Sequence, residues 1–341
     1  MNHLSTSPLP ASRPNLARAL CAVQRAGRRV ALAAAVLVCG AAHAALPAPQ
    51  IAVLHAIYNS TNGAGWTTRT NWMNGGDPCD STTPWYGVTC DAGGATVTSF
   101  GMYNNNLTGT LPALDALADL ENFNVNRNHL SGTLPALASL TKLEQFSANN
   151  NMFTGAVPAI AGHSSLLLFD VSYNQLSGTI PDLTGLPTLQ HLDLSVNQLS
   201  GTIPPLAGLA MMFYLHLNDN ELTGTVPPLT ALTYLRQFWI ANNRLTGPAP
   251  APPFPDSLIP GQSTLCPNYL APASTPPAVY DLAWNEATGS TPWSADCTAP
   301  PVTVTNVPTL GEWALALLAM AVGALAWVRR PRAVWSDASR G

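Results

Sequence analysis

The strongest constraint on the fold is an asparagine that recurs every 23 residues without an insertion. Around each of these asparagines the same frame is repeated, L-x-x-L-x-L-x-x-N-x-L-x-G-x-I-P, as in residues 189–204. Self-similarity at a fixed period of this length is the signature of a repeat architecture, so the middle of the chain is predicted to be a stack of equivalent turns. The seven positions are Asn105, Asn128, Asn151, Asn174, Asn197, Asn220 and Asn243.

The frame also predicts the conformation of one turn. In the repeat around Asn197, Leu192 and Leu194 alternate with polar residues, which indicates a short strand with one buried face. Leu189 and Leu199 return the chain over the same interior. Because one turn cannot bury its own apolar face, the turns must stack into a hydrophobic column with parallel strands along one side. The asparagine can donate and accept hydrogen bonds, and we expect the seven to satisfy buried backbone groups as an internal ladder.

The recurring Leu-(Thr/Ser)-Gly-Thr-(Leu/Ile/Val)-Pro segment resembles the plant-type subfamily of leucine-rich repeats, which occurs in receptor-kinase ectodomains and polygalacturonase inhibitors. The resemblance covers residues 97–250 as seven repeats. It implies an α/β repeat fold, a curved leucine-rich-repeat solenoid with parallel strands on its concave face. The period is one residue shorter than in plant members, and Phe153 and Ala156 depart from the signature of the third repeat. Plant ligands therefore cannot be transferred to this chain.

Residues 45–96 resemble the N-terminal cap of plant-type repeats, beginning with a predicted helix over residues 49–58. The matching motif implies a disulfide between Cys79 and Cys90, which a periplasmic or extracellular compartment permits. We expect the cap tryptophans to cover the open end of the first repeat, and carbohydrate stacking is their alternative role. These tryptophans are Trp66, Trp72 and Trp85.

Residues 251–300 are predicted to be a proline-rich segment followed by a second cap that is also pinned by a disulfide. Closely spaced prolines prevent further regular repeats. Four cysteines, Cys79, Cys90, Cys266 and Cys297, remain after the predicted leader and allow three pairings. Because the two ends of a solenoid lie far apart, the local pairs Cys79–Cys90 and Cys266–Cys297 are favoured.

The first 44 residues are predicted to be a signal peptide with a long basic n-region. Arginines precede an apolar run over residues 30–38, and Ala42 and Ala44 supply the small residues that a signal peptidase reads. At the other end, residues 301–341 contain an uninterrupted apolar stretch from Trp313 to Val328, followed at once by two arginines. That pattern is typical of a transmembrane helix with a basic cytoplasmic tail.

The segment that leads into this stretch resembles the Ile-Pro-Thr-Leu type of C-terminal sorting tail, IPTL-CTERM, of Gram-negative bacteria. The resemblance implies recognition by an exosortase-like membrane protease and transfer to the cell surface. An ordinary single-pass membrane anchor is the alternative. The first motif residue departs conservatively from isoleucine, and the matching positions are Val307, Pro308, Thr309, Leu310, Glu312 and Trp313.

Charge and motif content narrow the function classes. Residues 45–306 contain five Lys/Arg and sixteen Asp/Glu, a formal charge of −11, so phosphate backbones are poor partners. The sequence contains no Gly-x-Ser-x-Gly elbow, no His-Glu-x-x-His and no phosphate-cradling loop. Cysteine and histidine spacings typical of structural zinc are missing as well. We therefore predict no catalytic residues, no cofactor and no metal.

Outward strand positions on the predicted concave face supply a candidate ligand-binding surface. One column of these positions changes from small to acidic to aromatic toward the last repeats, and the column two residues earlier adds His191 and Tyr214. Neighbouring carboxylates in such a column are more often a solvated ladder or a weak cation site than an acid–base pair. Trp239 has the alternative role of packing against the C-terminal cap. The predicted ligand-binding residues are Asp170, Asp193, His191, Tyr214, His216 and Trp239.

Together these patterns predict a non-catalytic secreted protein at the outer envelope of a Gram-negative bacterium. It would bind a protein or polysaccharide partner through the concave face, and signal peptidase and an exosortase-like protease would process its ends. Two alternatives remain, a structural envelope or matrix component and an inhibitor of an extracellular glycanase. Fold likeness alone supports the inhibitor, and a pectinase inhibition assay would test it.

Overall fold

The computed structural model describes residues 45–253, 257–272 and 279–297. The predicted signal peptide and sorting tail lie outside these residues. Within them are two α-helices, α1 (Ala48–Ser60) and α2 (Val279–Thr288), and a short 3-10 helix at Gly63–Gly65. None of the helices in the described ranges has the length and apolar character needed to cross a membrane.

Sixteen short strands form a two-sheet β-solenoid. Sheet 1 contains β1 and all the even-numbered strands up to β14, and sheet 2 contains β16 and the odd-numbered strands from β3 to β15. All neighbouring strands are parallel except β1 and β2. The strands are β1 (Val88–Cys90), β2 (Val97–Gly101), β3 (Thr108–Thr110), β4 (Asn122–Asn124), β5 (His129–Thr133), β6 (Gln145–Ser147), β7 (Met152–Gly155), β8 (Leu168–Asp170), β9 (Gln175–Thr179), β10 (His191–Asp193), β11 (Gln198–Thr202), β12 (Tyr214–His216), β13 (Glu221–Gly224), β14 (Gln237–Trp239), β15 (Arg244–Pro248) and β16 (Tyr269–Ala271).

The solenoid of parallel strands confirms the predicted repeat fold, but helices occur only at the two ends of the described chain. Between β2 and β15 each repeat returns through turns and a strand of sheet 2. A proline follows most of the sheet 2 strands by one or two residues, as Pro204 follows β11. Because proline lacks an N–H and fixes φ, the return segment cannot wind into a helix there.

Equivalent residues of successive repeats stack in the core because sheet 1 strands pair with an offset of 23 residues. Leu192 of β10, for example, pairs with Phe169 of β8 and with Leu215 of β12. In the first four repeats the stacked residue is phenylalanine, with ring centroids 5.3–5.5 Å apart and planes within 17° of parallel. These buried rings are Phe100, Phe123, Phe146 and Phe169.

The recurring asparagines form the predicted internal ladder. The Asn151 Nδ2 donates to the Val125 and Ala148 carbonyls at 3.0 and 3.1 Å, and its Oδ1 accepts from the Leu130 N–H at 3.0 Å. Each asparagine thus joins its own bend to the preceding repeat. The ladder continues one step beyond the 23-residue period, to Asn268, whose Oδ1 accepts from the Leu245 N–H at 2.9 Å.

Both ends of the hydrophobic column are closed by aromatic caps. Trp72 is almost fully buried and packs edge-on against Phe100 of the first repeat, with ring centroids 6.4 Å apart. Burial of all three cap tryptophans favours the capping role over carbohydrate stacking. At the other end Trp284 of α2 lies against Phe238. The two predicted disulfides, Cys79–Cys90 and Cys266–Cys297, are both formed.

Candidate functional site

The structure brings the six predicted ligand-binding residues together on four adjacent strands of sheet 1. Asp170 pairs in register with Asp193, Asp193 with His216, and His216 with Trp239. Two residues earlier on β10 and β12, His191 pairs with Tyr214, and their ring centroids are 5.5 Å apart. We call this group the β8–β14 cluster: Asp170, His191, Asp193, Tyr214, His216 and Trp239.

The two carboxylates of the cluster are held by serines two residues further along the chain. Asp170 Oδ1 accepts from the Ser172 N–H and hydroxyl at 3.0 and 2.7 Å, and its Oδ2 accepts from Asn149. Asp193 Oδ1 accepts from the Ser195 N–H and hydroxyl at 2.9 and 2.6 Å. The serine two residues further along therefore holds one oxygen of each carboxylate.

The environments of these carboxylates push their pKa values in opposite directions. Burial, reinforced by the negative charge of Asp193, raises the pKa of Asp170 above its usual value. Burial also acts to raise the pKa of Asp193, but hydrogen bonds from His216 and Ser195 outweigh it and leave that pKa lowered. The negative charge of the pair is thus held more firmly on Asp193.

His216 is buried, with 6 % of its surface exposed, whereas the sequence prediction placed it on an open face. The Trp239 ring covers it in a parallel stack, with centroids 4.0 Å apart and planes 10° from parallel. Its Nδ1 lies 3.4 Å from Asp193 Oδ2, and its Nε2 lies 3.1 Å from Gln237 Oε1. The Gln237 side-chain amide in turn donates to Gln262 Oε1 at 3.4 Å. His216 therefore shapes the site from beneath the surface.

Trp239 joins the cluster to the C-terminal cap. Its Nε1 donates to the Gln262 carbonyl at 2.6 Å, and its backbone forms an isolated parallel bridge with Thr264. One edge of the Trp239 ring therefore packs against the C-terminal cap, as its alternative role predicted. One face of the same ring covers His216. The cap holds the indole in place over the histidine.

His191 differs from the other polar members because its Nε2 is buried and has no hydrogen-bond partner among the described residues. Burial lowers the pKa of His191, an effect that the negative charge of Asp193 partly opposes. The His191 and His216 rings lie edge to face, 5.6 Å apart. One ligand atom each from His191, Asp193 and His216 falls within 4.8 Å of the others, so these three residues could hold a metal ion.

Sequence reasoning missed the residues that support the cluster. Gln237 and Gln262 orient His216 and Trp239 from β14 and from the cap. A usable signal exists for the serines, because Asp-x-Ser occurs at the same position of two successive repeats and favours side-chain capping of the strand end. Gln262 carries no such signal, since it lies beyond the regular period.

Comparison with family models matches two short parts of the chain. Residues 188–208 match the Leucine Rich Repeat model. Residues 305–332 match the IPTL-CTERM motif, which confirms the resemblance of the sorting tail. A comparison with curated proteins gives no match.

Solved structures with a similar backbone come mainly from plant receptors. The PEPR1–AtPEP1 structure is 22% identical over 66% of this chain and 36% of that chain, with a TM-score of 0.49. The ectodomain of GASSHO1/SCHENGEN3 from Arabidopsis thaliana, in complex with CASPARIAN STRIP INTEGRITY FACTOR 2, is 26% identical over 55% of this chain and 26% of that one, with a TM-score of 0.47. The chain thus spans about a third of the length of these receptor ectodomains.

A plant ice-binding protein is 25% identical over 64% of this chain and 71% of that chain, with a TM-score of 0.50. This match covers about two thirds of each chain. Together with the two family models and the ladder of asparagines, it leads to one identification. The chain carries leucine-rich repeats that are similar to those of plant proteins, together with an IPTL-CTERM motif at residues 305–332.

Proposed function

We propose that this chain is a non-catalytic binding protein that recognises an extended segment of a partner protein through the β8–β14 cluster. The observation that carries the proposal is the continuity of the cluster, since four neighbouring strands contribute two carboxylates and two half-buried aromatic side chains to one patch. Its side chains are already held by hydrogen bonds and ring stacking. Little conformational freedom is therefore lost when a partner binds.

The charges of the patch indicate the chemistry of the partner. Asp170 and Asp193 lie side by side, and the ion pairs that the structure describes for lysine and arginine lie elsewhere, at Lys142–Asp119 and Arg244–Glu221. A partner segment that carries arginine or lysine would meet these carboxylates, while Tyr214 and Trp239 provide aromatic contact area. We therefore expect a basic peptide segment rather than an acidic one.

A peptide selection tests this proposal. Phage-displayed peptides are selected on the full-length chain, and the enriched peptides are measured by fluorescence anisotropy. Tyr214→Ala should weaken binding at least about tenfold, since buried aromatic contacts dominate such interfaces. Thr202→Ala on sheet 2 is the matched control and should leave affinity unchanged. Equal affinity for both variants would refute the proposed site.

The same variants separate the alternative functions. A structural envelope component would enrich no peptides that depend on Tyr214. Binding to a glycan array without peptide enrichment would favour a polysaccharide partner. Inhibition of a pectinase by the wild-type chain would support the glycanase inhibitor.

Sheet 2 favours a second candidate function, binding to ice. Its threonine column presents exposed side chains at a 23-residue period, on neighbouring parallel strands that pair with a 21-residue offset. Each methyl lies against the next repeat's glycine, where an added Cβ would come within 2.9–3.0 Å of the threonine Cγ2. This contact fixes the side-chain rotamers of the threonines, which together form a regular array of hydroxyl and methyl groups. The column consists of Thr110, Thr133, Thr179, Thr202 and Thr225, and Ala156 interrupts it.

The similarity to a plant ice-binding protein supports this second function. Thermal hysteresis and inhibition of ice recrystallisation measure it directly. If sheet 2 binds ice, Thr202→Lys should abolish most of the activity because a long charged side chain breaks the array. Tyr214→Ala on sheet 1 should leave it intact. A wild-type chain without either activity would exclude the function.

The IPTL-CTERM motif supports export to the cell surface with removal of both ends. Intact mass of the protein from its host tests this part of the proposal. A mass for a chain from Ala45 to near Pro308, outside the inner membrane, is the expected result. A mass that extends to Gly341 in the membrane fraction would instead indicate a permanent single-pass anchor.

A further inference from the structure

The polar half of the β8–β14 cluster has a geometry that partner recognition does not require. His191 and Asp193 are two residues apart on β10 and so lie on the same side of the strand. The 23-residue register then places His216 of β12 directly beside Asp193. Two imidazoles and one carboxylate thus converge from residues that span 26 positions of the sequence.

One pair of these groups already has the separation that a metal ion needs. His216 Nδ1 and Asp193 Oδ2 are 3.4 Å apart. In a tetrahedral site with metal–ligand bonds of about 2.0–2.1 Å, neighbouring ligand atoms lie roughly 3.4 Å apart. One ring nitrogen of His191 lies within 4.8 Å of a ligand atom of each of the other two residues, so the three side chains are close enough to share one ion.

The hydrogen bonds around His216 also orient it toward a cation. Gln237 donates its amide to Gln262 Oε1 at 3.4 Å and places its own oxygen 3.1 Å from His216 Nε2, where the ring can donate an N–H to it. His216 Nδ1 lies 3.4 Å from Asp193 Oδ2, where it donates a hydrogen bond when it carries a proton and can bind a metal ion when it does not.

His191 supplies an independent observation. Its Nε2 is buried and has no partner in the described part of the chain, which is costly for a polar atom that could accept or donate. A metal ion that is shared with Asp193 and His216 would satisfy it. We propose that His191 Nε2, Asp193 Oδ2 and His216 Nδ1 form a binding site for a zinc-class divalent transition metal ion.

Two of the three proposed ligands, Asp193 and His216, have the supporting contact that metal sites require. Asp193 is oriented through its other oxygen by Ser195, and His216 through its other nitrogen by Gln237 and through its ring face by Trp239. Asp170 adds a second negative charge on the neighbouring strand. Imidazole nitrogens favour zinc, copper and nickel over calcium and magnesium, and three protein ligands leave a position for water.

Calorimetric titration of the full-length chain with Zn²⁺ tests the site. The protein is purified without a polyhistidine tag and stripped with a chelator. We expect one ion per chain with a dissociation constant in the micromolar range or below, and a rise in Tm with added Zn²⁺. His191→Gln should weaken binding by at least about 100-fold and abolish the rise in Tm, because one of three ligands is lost.

His191→Gln is the decisive variant because His191 Nε2 has no hydrogen-bond partner among the described residues, so the substitution removes no hydrogen bond of that atom there. His129→Gln removes an exposed imidazole of β5 and is the matched control, which should bind Zn²⁺ as the wild type does. Gln237→Ala should weaken binding by about 10- to 100-fold through loss of orientation. A wild-type chain that binds Zn²⁺ no tighter than His191→Gln, or a site that prefers Ca²⁺, would overturn the proposal.

Discussion

The first four repeats and the next two use the same backbone frame with opposite side-chain choices. In the first region, β2 to β8, the core positions are stacked phenylalanines, and the outward positions of β2, β4 and β6 are small or neutral. In the second region, β10 and β12, the core positions are Leu192 and Leu215, and the outward positions carry a carboxylate and an imidazole. Asp170 on β8 marks the boundary.

The comparison shows that different residues determine the backbone frame and the candidate site. Strand pairing keeps its 23-residue offset across the boundary, and the backbone hydrogen bonds between neighbouring repeats are alike, such as Leu167 N–H to Glu144 at 2.8 Å and Phe213 N–H to Gln190 at 2.8 Å. Leucine fills the core of β10 and β12, whereas β8 and β14 at the two edges of the cluster have Phe169 and Phe238 there. Side chains outside the repeated frame, rather than a change of backbone, therefore create the site.

Removal of one ring from the phenylalanine stack should have the largest effect. Phe146→Ala leaves a cavity between two parallel rings and should lower the free energy of unfolding by about 3–5 kcal/mol. Chemical denaturation monitored by circular dichroism measures it. Phe146→Leu copies the second region and should cost much less. Equal losses for both substitutions would show that the stack itself, rather than its volume, stabilises the first region.

The asparagine ladder should be equally important in both regions. Asn151→Ala and Asn197→Ala each leave buried carbonyl and N–H groups without partners and should each cost about 2–3 kcal/mol. Urea denaturation of the two variants measures the costs side by side. A cost confined to one variant would mean that the frame differs between the regions after all.

A smaller effect is expected at the residue that precedes the ladder asparagine. This position has a left-handed φ in both regions. The first region has Asn104, Arg127, Asn150 and Tyr173 there, and the second has Asp219 and the β-branched Val196, whose φ is 53°. Such a conformation strains a β-branched residue. Val196→Asn should therefore raise stability by about 1 kcal/mol, measured as an increase in Tm. Asn150→Val is the reverse control and should lower it.

The smallest expected effect is a difference between the two regions in how the stability of the fold depends on pH. The Lys142 ammonium lowers the pKa of Asp119, so this aspartate stabilises the fold above its unfolded pKa and the benefit is lost as pH falls through the folded pKa. Burial raises the pKa of Asp170, so its charge destabilises the fold as pH rises from the unfolded pKa through the folded one. In chelator-treated protein at pH 7, Asp170→Asn should stabilise by less than about 1 kcal/mol.

The free energy of unfolding of the wild type and of each variant, measured from pH 3 to pH 7, tests the direction of both effects. The gain from Asp170→Asn should vanish in acid, where the wild-type carboxyl is protonated. Asp119→Asn should instead destabilise slightly at pH 7 and be neutral in acid, as an exposed pair contributes little. A gain from Asp170→Asn that does not change with pH would show that repulsion between the carboxylates is not its cause.

The period made the solenoid, the asparagine ladder and the proximity of Asp170, Asp193 and His216 predictable, because a constant spacing places equivalent residues on neighbouring strands. Burial of His216 was not predictable in the same way. It depends on Trp239, whose position is set by Gln262, a residue beyond the last regular repeat. Zinc motifs are defined by ligands that are close in sequence, so they did not point to His191, Asp193 and His216, which the register joins across 25 and 23 positions.

The asparagine ladder has a consequence for how such a gene can change. Each asparagine bonds only to its own turn and the preceding one, so duplication of a 23-residue unit would add a turn whose contacts are all supplied by copies of existing ones. Copies inserted before β8 would leave the cluster unchanged. A copy inserted between β10 and β12 would separate Asp193 from His216 by one more strand. The length of the protein is thus free to drift at one end, while selection on the cluster would hold the other end to its present count.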